Sequence, residues 1–170
     1  MLEIIERIKK NTDAVTTTLT LPFEQRQKSR LRVTLDNGNE AFLTLDRSAV
    51  LRHGDFLRGS GGEVVEVRAA FETVSVVRES NSHLLSRACY HLGNRHVPLQ
   101  IEEGLISYLK DHVLDDMVRS LGLKVEHQEA SFEPESGAYQ KNGKHQHYHS
   151  TPVNHLLFLH HQHAPIWCQV

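Results

Sequence analysis

Two stretches with helical periodicity alternate with short apolar segments in residues 71–133. Apolar residues recur three and four positions apart over Ser82–Gly93 and again over Asp111–Gly122, and a glycine closes each stretch. Four short apolar segments, each suited to one strand, flank these stretches: Thr73–Val77, Val97–Ile101, Leu105–Leu109 and Leu123–His127. The order strand, helix, strand, strand, helix, strand predicts a ferredoxin-like domain over residues 71–139.

The two predicted helices should cover one face of the sheet and leave the other face free to meet a partner. Cys89 lies on the apolar stripe of the first helix and is expected to be a buried structural thiol. Asp111 opens the second helix, where its carboxylate can accept hydrogen bonds from the free N–H groups of the first turn. Both residues therefore have a structural explanation that needs no ligand.

Residues 1–70 show the two-residue alternation of strands instead. Alternating segments flank Asp36–Asn39, where Asn and Gly tolerate the positive φ of a tight turn, and a second hairpin is predicted to turn at Gly59–Gly62. Further short strands are predicted in Glu3–Ile8 and Ala14–Leu21. Many short strands without a convincing helix predict an all-β domain, a small barrel or sandwich, so the whole chain belongs to the α+β class.

Residues 140–170 form a predicted flexible tail that holds seven of the 13 histidines of the chain. They are His145, His147, His149, His155, His160, His161 and His163. Side chains two positions apart share a face of an extended segment, so alternating histidines can meet one metal ion. A histidine-rich tract predicts binding of nickel, copper or zinc without indicating which metal. An expression tag, an accident of composition and a pH-responsive tail are the alternatives, although a tag is usually an uninterrupted run.

Charge and composition exclude several classes of protein. The formal net charge of −2 argues against a dedicated nucleic-acid binder, which would carry a clear basic excess. Two cysteines, Cys89 and Cys168, are too few for a disulfide framework or a cysteine-based zinc site. The first residues, MLEIIERIKK, lack the apolar core of a secretory signal, and the longest apolar runs are far too short to span a bilayer. We therefore expect a cytoplasmic protein that binds neither nucleic acid nor a membrane.

Three motifs of the chain resemble one known family. They are ACYHLGNRHVPLQI at Ala88–Ile101, DHVLDDMVRSLGL at Asp111–Leu123 and FEPESGAY at Phe132–Tyr139, and a histidine-rich C-terminus follows them. In this order the motifs are similar to those of the UreE family of urease accessory nickel chaperones. The resemblance is densest over residues 71–139 and extends more loosely to the β-rich N-terminal part and to the tail.

The resemblance implies a division of roles along the chain. Residues 1–70 would contact partner proteins, and residues 71–139 would bind metal and pair with a second copy to form a homodimer. His96, the histidine of the GNRH motif, would meet its two-fold mate and hold one Ni(II) ion across the interface. Tail histidines would complete or feed that site, and the candidates are His145, His147, His149, His160, His161 and His163. The ion would then pass through the urease accessory GTPase and its partners to apo-urease.

A second, peripheral metal site is implied near the start of the second helix. Histidines around the DH motif form such sites in some members of the family, and here the role carries over to His112 alone. Family members often have a histidine before the aspartate, whereas this chain has Lys110 before Asp111. An ammonium group repels a nearby cation, so we expect the peripheral site at His112 to be weakened.

The predicted function is delivery of Ni(II) for urease assembly rather than catalysis. An enzyme would need a catalytic acid or base near the metal, as in HExxH, and neither this pattern nor a GxxxxGK[ST] nucleotide loop occurs in the sequence. A general buffer of nickel, copper or zinc is the alternative, since Cu(II) or Zn(II) can compete for imidazole ligands in vitro. An RNA-binding module would need paired aromatic residues on central strands, and Thr73–Val77, Val97–Ile101 and Leu123–His127 have none.

Overall fold

A computed structural model describes residues 2–8, 13–46 and 50–136 of the 170-residue chain. These residues belong to one compact unit, which spans Met1–Gln140. They form two β-sheets and three helices, and no helix in these ranges is long and apolar enough to cross a membrane. The predicted tail, with its seven histidines and Cys168, lies outside the described residues.

The N-terminal part carries a six-stranded sheet. Its strands are β1 (Leu2–Ile8), β2 (Thr17–Leu21), β3 (Arg30–Thr34), β4 (Glu40–Thr44), β5 (Phe56–Gly59) and β6 (Val64–Ala69), in the spatial order β2-β6-β5-β1-β4-β3. Both predicted hairpins are confirmed, because β3 pairs antiparallel with β4 and β5 pairs antiparallel with β6. Gly38, in the first hairpin turn, has a φ of 86°, the left-handed geometry for which the turn needs glycine.

The six-stranded sheet curls until its two edge strands nearly meet. Asp36, between β3 and β4, accepts hydrogen bonds from the side chains of Thr18 and Thr20 on β2, and its own N–H donates to the Thr18 carbonyl across 3.0 Å. The side chains enclosed by this curl are fully buried: Ile4, Leu19, Ala41, Leu43, Leu57, Val65 and Val67. The N-terminal part is therefore strand-rich and nearly barrel-like, which agrees with the β structure predicted for it.

A four-stranded sheet with two helices follows. Its elements are β7 (Phe71–Arg78), α2 (Ser82–Gly93), β8 (Gln100–Glu102), β9 (Leu105–Leu109), α3 (His112–Ser120) and β10 (Glu126–Ser131). The spatial order is β10-β7-β9-β8, and every neighbouring pair is antiparallel. Asp111 caps α3 by accepting hydrogen bonds from Val113 N and Leu114 N, so its predicted capping role is confirmed. Asn81 caps α2 in the same way.

Two strands begin three residues later than the apolar pattern predicts. The strand expected at Val97–Ile101 is β8, which begins only at Gln100. Val97 N donates to the Leu92 carbonyl at the end of α2, and Pro98 has no N–H to donate to a neighbouring strand. The strand expected at Leu123–His127 is β10 instead. Leu123 and Val125 lie before it and pack into the core beneath the helices, so their apolar character reflects that core and not a strand.

The helix-free face of the second sheet is not open, and the prediction that it would be free for a partner is wrong. Val74 and Val76 on that face are buried against Phe23 and Phe132, whose rings meet edge to face with centroids 5.4 Å apart. Phe23 begins α1 (Phe23–Arg26), a single turn that the all-β prediction for the N-terminal part missed. A turn of four residues shows no helical periodicity, so local patterning cannot indicate it.

Candidate metal centre

Helix α2 ends in a Schellman motif whose left-handed residue is His96. His96 N donates to the carbonyl of Gly93 across 2.9 Å, and Val97 N donates to the carbonyl of Leu92 across 3.2 Å. His96 has a φ of 57° and is the one non-glycine residue with positive φ in the described part of the chain. Glycine usually occupies this position, because a β-carbon in left-handed backbone costs about 1–2 kcal/mol.

The end of α3 shows the usual arrangement. Gly93 is the last residue of α2, as predicted, but glycine takes the left-handed conformation only after α3, where Gly122 has a φ of 90°. The N–H of Gly122 donates to the carbonyl of Arg119 across 2.9 Å. Because a glycine would fit the corresponding position after α2 better, the strain at His96 points to a role for its imidazole.

His96 is exposed, in the turn before β8. It lines a shallow cavity of about 310 Å³ between this turn and the start of α3. The other lining residues are Arg95, Val97, Pro98, Leu109, Lys110, Asp111 and Leu114. The fold therefore brings together the GNRH motif and the beginning of the DH motif, which are separate in the sequence.

The charges around the cavity limit which ions it suits. Arg95 and Lys110 line it with His96, and Asp111 is the single carboxylate in its lining. The Asp111 carboxylate already accepts two N–H groups of α3 through Oδ1, across 2.8 and 3.1 Å. A cation held here by charge alone would be repelled by the two basic side chains. A metal ion bound here would therefore have to form strong bonds to imidazole, which Mg(II) and Ca(II) do not.

Of the other predicted ligands, the structure describes only His112. His112 is the first residue of α3 and is exposed, but it does not line the cavity that His96 lines. Within the described residues, no three His, Cys, Asp or Glu side chains lie close enough to enclose a metal ion. His96 and His112 are therefore separate candidate ligands in the described part of the chain. The six candidate ligands predicted in the tail lie outside the described residues.

Cys89, on α2, is half-buried and not fully buried as the sequence predicts. Its side chain is partly buried against the core that includes Leu85 and Leu92, and burial raises the pKa of its thiol. A raised pKa disfavours the thiolate, which is the form that binds metal. This placement agrees with the predicted structural role.

A buried polar cluster beneath α3 was not predicted. Asp115 on α3 is 1% exposed and accepts hydrogen bonds from the hydroxyls of Ser75 at 2.6 Å and Tyr108 at 2.9 Å. Its Oδ2 atom lies 2.6 Å from Nε2 of His127. Burial raises the pKa of the Asp115 carboxyl, but the hydrogen bonds from Ser75, His127 and Tyr108 outweigh burial and hold the pKa below its usual value. The cluster ties α3 to β7, β9 and β10, and so fixes the helix whose start lines the His96 cavity.

Two family models together match nearly the whole chain. The model of the UreE urease accessory protein N-terminal domain matches residues 1–70, and the model of the UreE urease accessory protein C-terminal domain matches residues 72–164. The chain belongs to the UreE family of urease accessory proteins. The family resemblance predicted from the GNRH, DHVLDDM and FEPESGAY motifs is therefore confirmed.

Relatives from three genera carry the same name, urease accessory protein UreE. The Pseudomonas putida (strain W619) protein is 58% identical over 141 residues, which are 82% of this chain and 87% of the relative. The Alkalilimnicola ehrlichii protein is 57% identical over 139 residues, 82% of this chain and 85% of the relative. The Citrobacter koseri protein is 53% identical over 150 residues, 88% of this chain and 97% of the relative. These UreE proteins are named as accessory proteins, so the prediction that the chain is not itself an enzyme is confirmed.

Proposed function

We propose that this chain is a nickel-binding metallochaperone that delivers Ni(II) for assembly of the urease active site. Membership of the UreE family supports a role in urease maturation. The observation that carries the metal assignment is the strained, exposed His96 at the end of α2. A position that glycine would fill at lower energy instead keeps an imidazole at the surface, where it can act as a ligand.

One imidazole fills only one of the coordination positions of Ni(II), so His96 needs further ligands. We propose that residues 71–139 form a ferredoxin-like domain that dimerises, so that His96 and its two-fold mate hold one ion between them. Two imidazoles leave positions open on the ion for tail histidines or for the ligands of the next carrier. Such a site both binds its ion and releases it, which delivery requires.

The remaining predicted residues have supporting roles in this proposal. The tail histidines 145, 147, 149, 160, 161 and 163 raise nickel capacity and supply ions to His96. His112 is a weaker peripheral ligand, because the Lys110 ammonium stands two residues before it. Residues 1–70 contact the urease accessory GTPase and the apo-urease assembly complex in the cytoplasm.

A protein that only buffers metal is the second candidate function. Imidazole sites in general bind Cu(II) more tightly than Ni(II), so the purified chain should also take copper or zinc when they are offered. A buffer and a chaperone can therefore bind the same ions. They differ in whether the bound nickel reaches urease.

The test is reconstitution of urease from the apo-urease assembly complex, the accessory GTPase and GTP, with all nickel supplied on the full-length chain. The matched variants are His96→Ala and His83→Ala, since His83 is also an exposed histidine near one end of α2. Wild type and His83→Ala should activate urease, and His96→Ala should lose most of that activation. Nickel-loaded wild type that leaves urease inactive would support the buffer, and full activation by His96→Ala would overturn the assignment of His96.

A further inference from the structure

We propose that a cavity at one end of the six-stranded sheet, here called the Glu63 pocket, binds a primary ammonium group on an aliphatic chain. A lysine side chain carries such a group, and the Glu63 carboxylate is its charged partner in the pocket. This inference goes beyond the proposed function, because the Glu63 pocket belongs to residues 1–70 and its ligand is not a metal ion.

The Glu63 pocket has a volume of about 390 Å³ and lies at the end of the curled sheet where β1, β2, β4 and β6 begin. Its lining residues are Leu2, Thr16, Thr17, Leu35, Asn37, Asn39, Glu40 and Glu63. The mouths of β-barrels are common places for ligand sites, which combine apolar walls with a few polar groups. Two leucines and six polar residues therefore suit a ligand with an apolar stem and a polar head.

The charged residues that line the Glu63 pocket are both acidic. One of them, Glu40, is already paired, because Arg32 Nη2 donates to its Oε2 atom across 2.6 Å. Glu63 Oε2 is shielded from solvent and has no hydrogen-bond partner in the described part of the chain. Among the buried side-chain nitrogen and oxygen atoms of the described residues, it is the one in that state. A shielded carboxylate oxygen without a donor costs free energy, and a cation bound in the pocket would offset that cost.

Two glycines make room for the Glu63 carboxylate. A β-carbon on Gly59 would lie 2.7 Å from Glu63 Oε2, and a β-carbon on Gly61 would lie 2.7 Å from Oε1 and 2.8 Å from Oε2. In this turn Gly62 has a positive φ, of 92°, whereas Gly59 and Gly61 do not. The backbone conformation therefore does not require glycine at 59 and 61, but the space that the carboxylate occupies does. The hairpin is built to hold this unpaired carboxylate in one place.

An ammonium group fits the Glu63 pocket better than a guanidinium group or a metal ion. Because Oε2 is shielded, the Glu63 carboxylate presents at most one oxygen to the pocket. Arginine binds carboxylates best through both oxygens, whereas a lysine ammonium pairs with one oxygen as a point charge. The aliphatic stem of the ligand can pack on Leu2 and Leu35. Within the described residues, no three His, Cys, Asp or Glu side chains lie close enough to enclose a metal ion.

The test is a peptide titration of the isotope-labelled full-length chain, followed by NMR. The probe is acetyl-Gly-Gly-Lys-Gly-Gly-amide, and matched peptides carry norleucine or arginine in place of lysine. The lysine peptide should shift the amide signals of Leu2, Thr16 and Asn39 until they saturate, with a Kd on the order of 1 mM. The norleucine peptide lacks the charge and should bind at least about 10-fold more weakly. The arginine peptide should also bind more weakly than the lysine peptide.

Three variants test the role of Glu63. Glu63→Gln removes the charge at nearly constant size and should weaken binding of the lysine peptide by about 10-fold or more. Gly61→Ala keeps Glu63 but places a β-carbon where the carboxylate lies, so it should also weaken binding; if Glu63→Gln fails to fold, Gly61→Ala carries the test. Glu66→Gln is the control, because Glu66 lies on β6 outside the pocket lining and pairs with Arg68 across 3.3 Å. Its affinity for the lysine peptide should equal that of wild type.

A free diamine carries the same ammonium group as a lysine side chain. For that reason 1,4-diaminobutane is titrated beside the lysine peptide under the same conditions. The ligand with the lower Kd identifies the source of the group, which is either a partner protein or a small amine.

The remaining outcomes decide the proposal. Equal affinities for the lysine and norleucine peptides, or tighter binding of the arginine peptide, would overturn the choice of an ammonium group. Unchanged affinity in both Glu63→Gln and Gly61→Ala would overturn the role of Glu63. If neither the lysine peptide nor the diamine gives saturable shifts, there is no such site. None of these results bears on the delivery of nickel to urease, so the proposed function stands or falls separately.

Discussion

The backbone N–H of His96 donates to the carbonyl of Gly93 across 2.9 Å, and His96 is the residue of this pair in the left-handed conformation. Glycine is the residue that best fits the left-handed position after a helix, which is position 96 here. Here the glycine stands three residues earlier, and the imidazole occupies the strained position. The backbone thus directs His96 to the cavity shared with Lys110 and Asp111.

Replacing His96 by glycine should make the protein more stable. The substitution relieves about 1–2 kcal/mol of left-handed strain in the folded protein. This gain exceeds the cost of the conformational entropy that glycine adds to the unfolded chain, so the free energy of unfolding should rise by about 0.5–1 kcal/mol. Urea denaturation of the metal-free protein measures this change. The reverse control is Gly122→Ala, which adds strain at a φ of 90° with no atom within 4 Å of the new β-carbon, and should lower stability. A loss of stability in His96→Gly would mean that the imidazole supports the fold itself.

Removal of the buried Asp115 carboxylate should be strongly destabilising. Asp115→Ala leaves the buried hydroxyls of Ser75 and Tyr108 without their acceptor, so the free energy of unfolding should fall by about 3 kcal/mol. Asp116→Ala is the matched control, because Asp116 is exposed and pairs only with Arg119 in the described contacts; its effect should stay within about 0.5 kcal/mol. Urea denaturation compares the two variants. Similar effects at both positions would contradict the role given to the buried cluster.

Acid should destabilise the protein partly through Asp115. Its pKa in the folded state lies below the usual value, so its contribution to stability is present above about pH 4 and is lost as the pH falls through the folded-state pKa. Unfolding measured between pH 5 and pH 2 should therefore show a shallower pH dependence in Asp115→Asn than in wild type. Some pH dependence should remain in both proteins because of Asp36. Burial raises the pKa of the Asp36 carboxyl, but hydrogen bonds from Thr18 and Thr20 hold it below the usual value. Parallel pH curves would contradict the Asp115 contribution.

Removing the Lys110 charge should strengthen nickel binding. Lys110 lines the same cavity as His96, so Lys110→Gln removes a repulsive charge and should raise the affinity of the tightest step by about 2- to 5-fold. High salt should reduce the difference, because salt screens the repulsion. Lys124→Gln is the control, since Lys124 is exposed and already paired with Glu126. An unchanged or lower affinity in Lys110→Gln would show that this ammonium does not act on the bound ion.

Much of the fold follows from local patterns in the sequence. The hairpins at Asp36–Asn39 and Gly59–Gly62, and the helices α2 and α3, depend on periodicity and turn residues within a few positions. The pairing of Arg26 with Glu133 joins residues 107 positions apart, and no local pattern indicates such a contact. For the same reason, no local pattern indicates that Phe23 and Phe132 pack together and cover the second sheet.

The candidate site was less accessible to sequence reasoning than the fold. A lone exposed histidine in a loop has no special pattern, so only the resemblance to a family motif indicates His96. Its left-handed backbone is a property of the folded turn. The sequence indicates Gly93 as the end of the helix instead, because glycine is the usual helix terminator. Asp115 gave one sign in the sequence: it lies three residues before Val118 on the apolar side of α3, where a carboxylate requires buried partners.

Calorimetric titration of nickel into the full-length chain tests the central claim, that His96 is the principal nickel ligand, most directly. The wild type should show a tight step in which one ion is shared by two chains. His96→Ala should lose that step and keep the weaker binding, while His83→Ala should match wild type. A tight step of unchanged affinity in His96→Ala would contradict the claim.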